Sequence, residues 1–77
     1  MKIYETEMDV IMAFLDTETY EEKYELLPAI EEHLSDYVID TLAVSMDITI
    51  PDGNLESRLD NLRDCINTFR RFEVHRK

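Results

Sequence analysis

The sequence predicts an all-α protein, a small three- to four-helix bundle, and three observations predict it. Apolar residues recur at separations of three and four in three stretches, the spacing of one helix face. Thr6, Thr19, Pro28 and Asn54 stand where helices would begin, and each is a residue type that favours that place. Glycine and proline together number three among 77 residues, too few for a fold built of turns. With 44 % apolar residues the chain has core material enough to be ordered, and its length fits a single domain, 1–77.

The first helix is predicted from Thr6 to Asp16. Met8, Ile11, Met12 and Leu15 give it an apolar face that Val10 and Phe14 widen. Thr6 and Asp9 make a capping box with Asp in place of the usual Glu. Thr17-Glu18-Thr19 interrupts the pattern. Thr19 with Glu22 then repeats the cap signature, so a short second helix is expected from Tyr20 to Leu26. Pro28 suits the first turn of a third helix, where its missing N–H costs nothing. A kinked continuation is the other reading of Pro28. Ile30, Leu34, Val38 and Leu42, four apart throughout, carry the third helix to about Met46.

Beyond it Val44, Met46, Ile48 and Ile50 alternate with Ser45, Asp47 and Thr49, as a strand would. A lone strand needs a partner, and the chain offers only Lys2–Tyr4 and Phe72–His75. The expectation is therefore a helix with a short extended segment at 47–51, and a strand is the alternative. Pro51-Asp52-Gly53-Asn54 reads as a turn, after which Asn54 can cap the last helix. That helix shows Leu55, Leu59, Leu62, Ile66 and Phe69 separated by 4, 3, 4 and 3, a heptad seam. No repeat or low-complexity segment is present.

Several function classes fall away on composition. The apolar run near the N-terminus is short and interrupted by Glu5, Glu7 and Asp9, unlike a secretory signal. No stretch approaches the ~20 apolar residues of a membrane span. The single cysteine, Cys65, excludes an internal disulfide and fits a reducing compartment. A soluble, cytoplasmic protein is expected. At this size dimerisation is the expected aid to stability. The net charge of −10 opposes direct binding to nucleic acid or anionic lipid and favours a protein partner with a basic surface.

The charge is distributed unevenly. Residues 1–57 carry fifteen Asp or Glu against Lys2 and Lys23, a balance of −13. Residues 58–77 carry three against six Lys or Arg, a balance of +3. Glu32, Asp36 and Asp40 are four apart and Asp47 follows seven later, so one continuous helix would project them along nearly one line. Glu18, Glu21, Glu22 and Glu25 cluster just before, with Lys23 as their only cation. Like charges four apart cost about 0.2–0.5 kcal/mol per pair. Side chains so placed stand ~6 Å apart, comparable to phosphates along a strand. Such a ridge would fit a groove lined with Lys and Arg, as in a DNA- or RNA-binding protein. A solvated outer face is the competing reading.

The seam of the last helix also has two readings. It packs inside the subunit, or it pairs with a second copy or a partner's helix. Cys65 at its edge is expected as a boundary residue, since no His accompanies it as a base. His33 among Glu31, Glu32 and Asp36 reads as a surface residue. No CxxC, HExxH or EF-hand order is present, so neither metal nor cofactor is expected. One glycine excludes a glycine-rich phosphate loop, and eighteen acids are too many for carboxylate pairs to identify acid–base catalysis. Phe69-Arg70-Arg71-Phe72 reads as a core edge followed by a helix C-terminus. Tyr20, Tyr24 and Tyr37 among the acids suit either an interface or the cover of a small core.

The function expected is therefore binding, not catalysis: an acidic inhibitor that occupies the nucleic-acid-binding surface of a target by DNA mimicry. A helical adaptor, antitoxin, immunity or regulatory subunit that binds through the last helix's seam is the alternative. In size and charge the chain resembles the small acidic proteins with which bacteriophages disable host DNA-handling or defence enzymes. The resemblance is of type only and rests on no motif.

Overall fold

Five helices form, and most begin at the residue that local chemistry dictates: α1 (Glu7–Leu15), α2 (Tyr20–Glu25), α3 (Leu27–Glu32), α4 (Asp36–Ser45) and α5 (Leu55–His75). The computed structural model describes residues 4–75, and among these there is no strand. The chain is thus a small all-α bundle. Lys2 and Ile3, two of the three residues of one candidate strand partner, lie outside the described residues.

The caps explain the helix starts. Thr6 and Asp9 make the full capping box: the Thr6 hydroxyl accepts the Asp9 N–H, and the Asp9 carboxylate accepts the Thr6 N–H. Thr19 caps α2 by accepting the Glu22 N–H at 3.1 Å. Pro28 sits in the first turn of α3, and Asn54 caps α5 by accepting the Ser57 N–H at 2.7 Å.

The predicted third helix is two helices. Ser35 adopts extended backbone and its hydroxyl accepts the Val38 N–H at 3.2 Å, which starts α4 afresh after the turn at His33 and Leu34. A serine that can bond the backbone locally competes with helix continuation, and here it wins. The break lets α4 be aimed independently of α3. It buries Val38, Ile39, Leu42 and Ala43 between α1 on one side and α5 on the other.

Alternation over 44–50 does not make a strand, because α4 ends in a Schellman motif. Asp47 takes φ 58, its N–H donates to the Val44 carbonyl, and the Ile48 N–H donates to the Ala43 carbonyl, each at 3.0 Å. Aspartate tolerates this left-handed position better than most residues, which is why no glycine is needed there. The chain then leaves irregularly, with Ile50 returning to the core.

Helix α5 is the hub, packed on α2 and α4, while α1 packs chiefly on α4. Phe14, Ile30, Ile39, Leu42, Leu62 and Ile66 are the largest fully buried side chains, and each contributes about 1.5–3 kcal/mol of burial. The apolar face of α1 is not the one its spacing predicts. Val10, Ile11 and Phe14 point inward, whereas Met8, Met12 and Leu15 are 51 %, 60 % and 51 % exposed. Apolar residues cover most of α1's circumference. The side that carries Phe14, its largest side chain, packs inward.

Candidate functional site

The acidic residues do not form one ridge. Glu32 ends α3, Asp36 and Asp40 begin a separately directed α4, and Asp47 lies beyond α4 in the left-handed turn. The line drawn through them in sequence is broken at Ser35.

Charge pairing divides them further. Arg58 on α5, whose side chain is only 11 % exposed, reaches Asp36 at 3.3 Å, Asp40 at 2.6 Å and Asp52 at 3.0 Å. Its Nε–H also donates to the Gly53 carbonyl at 3.4 Å, so one side chain joins α4, α5 and the loop between them. Arg70 pairs with Glu21 at 3.1 Å and covers the Tyr24 ring, and Arg63 pairs with Asp60. Every ion pair among the described residues therefore uses an arginine of α5.

Glu18, Glu22, Glu25 and Glu32 stand exposed on α2, α3 and the linker before them, without a Lys or Arg in ion-pair contact among the described residues. Lys23, the nearest cation in sequence, is directed elsewhere. Its ammonium donates to the Thr17 hydroxyl and the Phe14 carbonyl and lies 4.8 Å from the centre of the Phe14 ring. Burial there lowers its pKa below the ordinary lysine value, against the opposing pull of Glu22 and Glu73.

The unpaired acids border a trough. One depression of 850 Å³ lies among the end of α1, α2 and α3, with Glu22, Glu25 and Glu32 among its lining residues and Leu26, Pro28 and Ala29 supplying apolar surface. A second, of 680 Å³, runs along α1 past Met12 and Leu15, beside Glu5, Asp9 and Asp16. Tyr4, Ala13 and Asp16 line both, so the two depressions adjoin, and no Lys or Arg lines either. The Tyr4 carbonyl is held by His33 Nε2 at 2.8 Å. That contact corrects the reading of His33 as a plain surface residue: it is half-buried and anchors the N-terminal segment at the trough.

The α5 seam lies in the core. Leu59, Leu62 and Ile66 are buried, Phe69 is partly buried against Tyr20 with ring centres 5.1 Å apart, and Leu55 alone is exposed. Tyr20 and Tyr24 are likewise engaged within the subunit, and only Tyr37 of the three is exposed. The Glu73 carboxylate accepts the Tyr20 N–H at 2.9 Å and clamps the end of α5 to the start of α2. Among the described residues no three His, Cys, Asp or Glu side chains converge as metal ligands do, and no helix is long and apolar enough to cross a membrane.

Sequence reasoning missed two features of this face. Arg58 stands four residues after Asn54, and its reach to α4 follows from a tertiary crossing that no local spacing encodes. The exposure of Met8, Met12 and Leu15 was concealed by a pattern that reads equally well as core. Comparison with protein-family models, with curated proteins and with solved structures finds no match to this chain.

Proposed function

We propose that this chain is a small acidic binding protein that occupies the basic, nucleic-acid-binding surface of a partner protein and so inhibits it. One observation carries the reading. Arg58, Arg63 and Arg70 of α5 hold Asp36, Asp40, Asp52, Asp60 and Glu21, while Glu18, Glu22, Glu25 and Glu32 stand exposed with no Lys or Arg in ion-pair contact among the described residues. Crowding like charges costs about 0.2–0.5 kcal/mol per helical pair, and a surface rich in Lys and Arg would reverse that sign on contact. The mimic is a patch on α2 and α3, not a helix-long ridge. Glu18, Glu22, Glu25 and Glu32 take the role of phosphates, and Asp36 and Asp40 serve the fold. The alternative reading, an adaptor that binds through the α5 seam, has little exposed surface to offer beyond Leu55.

The test compares two sets of neutralised acids on immobilised protein. Glu18→Gln, Glu22→Gln, Glu25→Gln and Glu32→Gln together should abolish capture of basic proteins from a cell extract. Asp36→Asn, Asp40→Asn and Asp52→Asn should leave capture intact. Captured proteins should elute with added duplex DNA and with salt. Undiminished capture by the Gln variant, or elution indifferent to DNA, would sink the proposal.

A further inference from the structure

The trough has apolar lining that a phosphate mimic does not require. Nucleic-acid-binding surfaces recognise charge along a backbone, and carboxylates in water suffice for that. Here Met12 and Leu15 line one half and Leu26 and Ala29 the other, with acids among the lining of both. Met8 continues the stripe one turn further along α1, and all three stripe residues are at least half exposed. Met8, Met12 and Leu15 at i, i+4 and i+7 lie on one side of α1, and contiguous exposed apolar surface is a feature of binding sites. Methionine also adapts its unbranched side chain to varied apolar partners.

We propose that the trough receives an amphipathic basic helix of the partner protein, with its apolar side chains against Met12, Leu15 and Leu26 and its Lys or Arg side chains reaching Asp16, Glu22, Glu25 and Glu32. The inference rests on the acidic face being the binding surface and adds the form of what it binds. Charge complementarity selects the occupant. A trough without a lining cation repels acidic or phosphate-bearing ligands, and a neutral apolar helix would leave several carboxylates beside it partly desolvated and unpaired. Only a segment both basic and apolar satisfies both kinds of lining together, which is the helix-in-groove mode of recognition.

The experiment uses the full chain and two synthetic peptides of about five helical turns, equal in leucine and lysine content. One has its leucines three and four apart, and the other is scrambled to destroy that face. Titration by fluorescence anisotropy near physiological salt should show the ordered peptide binding at least about tenfold more tightly than the scrambled one. Met12→Asp with Leu15→Asp should remove that preference. Both positions are exposed, so thermal melts should confirm an intact fold. Glu22→Gln, Glu25→Gln and Glu32→Gln should weaken both peptides and flatten the salt dependence. Equal affinity for the two peptides overturns this inference and leaves the acidic-face reading standing, whereas no binding of either overturns both. Sedimentation of the protein alone as a dimer that Met12→Asp with Leu15→Asp dissociates would assign the trough to a second copy and overturn it as well.

Discussion

Helices α1 and α5 carry apolar residues at the same separations and use them in opposite ways. On α5, Leu59, Leu62 and Ile66 are buried between α2 and α4. On α1, Met8, Met12 and Leu15 lie in water while their neighbours Val10, Ile11 and Phe14 enter the core. The two helices also differ in charge. Arg58, Arg63 and Arg70 of α5 are engaged by acids of α2, α4, the 47–54 loop and α5 itself, whereas α1 lines a trough whose acids meet no lining cation. Periodicity identifies a helix face. Which face goes inside is decided by what else the helix carries and by how many neighbours it meets. On α5 the faces beside Leu59, Leu62 and Ile66 are polar as far as Arg71, with Phe72 and Val74 exposed only at its end, and on α1 two apolar faces compete for one interior.

The comparison is sharpest in stability. Leu62→Ala should cost about 2–5 kcal/mol in urea unfolding, the range for a fully buried leucine whose site cannot collapse. A loss below about 1 kcal/mol would mean that the seam is looser than its burial implies. Arg58→Met should cost less, about 1–2 kcal/mol. Its three aspartates are exposed and weakly held one by one, but without the guanidinium they repel one another across α4 and the loop. If, in the Arg58→Met background, Asp36→Asn and Asp40→Asn restore part of the lost stability, the cluster is confirmed as one coupled unit. On α1, Met12→Gln with Leu15→Gln should stay within about 0.5 kcal/mol of the parent. A larger loss would show that the stripe supports the fold, and the contrast between the two helices would break.

The smallest effect belongs to Lys23 of α2, whose ammonium lies against the end of α1. Its folded-state pKa is lowered, chiefly by burial. Between that value and the ordinary one the unfolded chain holds more protons than the folded chain. This group's contribution to stability therefore rises with pH across the alkaline window, and the penalty for burying its charge is present below it. Measured against Lys23→Met at successive alkaline pH values, the parent should gain relative stability as pH rises. A difference that is flat or falls with pH would remove burial as the cause of the shift.

Much of this fold was legible because its signals are local. Thr6 with Asp9, Thr19 and Asn54 announce helix starts through bonds that span three residues, and Pro28 does so through its fixed backbone angle and missing N–H. The break at Ser35 was legible in principle. A cap-forming serine followed by Asp36 interrupts the stretch, yet strict i+4 spacing of Ile30, Leu34, Val38 and Leu42 spans it unchanged. The alternation at 44–50 misled for a related reason, since a Schellman turn at Asp47 is set by backbone carbonyls and not by side-chain type. The acidic surplus was legible from composition. Its division into tethered and untethered groups was not, because Arg58 lies eighteen residues from Asp40 and the pair exists only once α4 and α5 cross.

The attachment of α1 chiefly to α4 has a dynamic corollary. Detaching α1 from that neighbour would expose Val10, Ile11 and Phe14, which sets the cost of such a local opening. Since α1 is one wall of the cleft, such an opening would change the aperture between its walls. A visitor too bulky for the mean width would wait for an opening, and its arrival rate would report the frequency of that excursion more than the speed of diffusion.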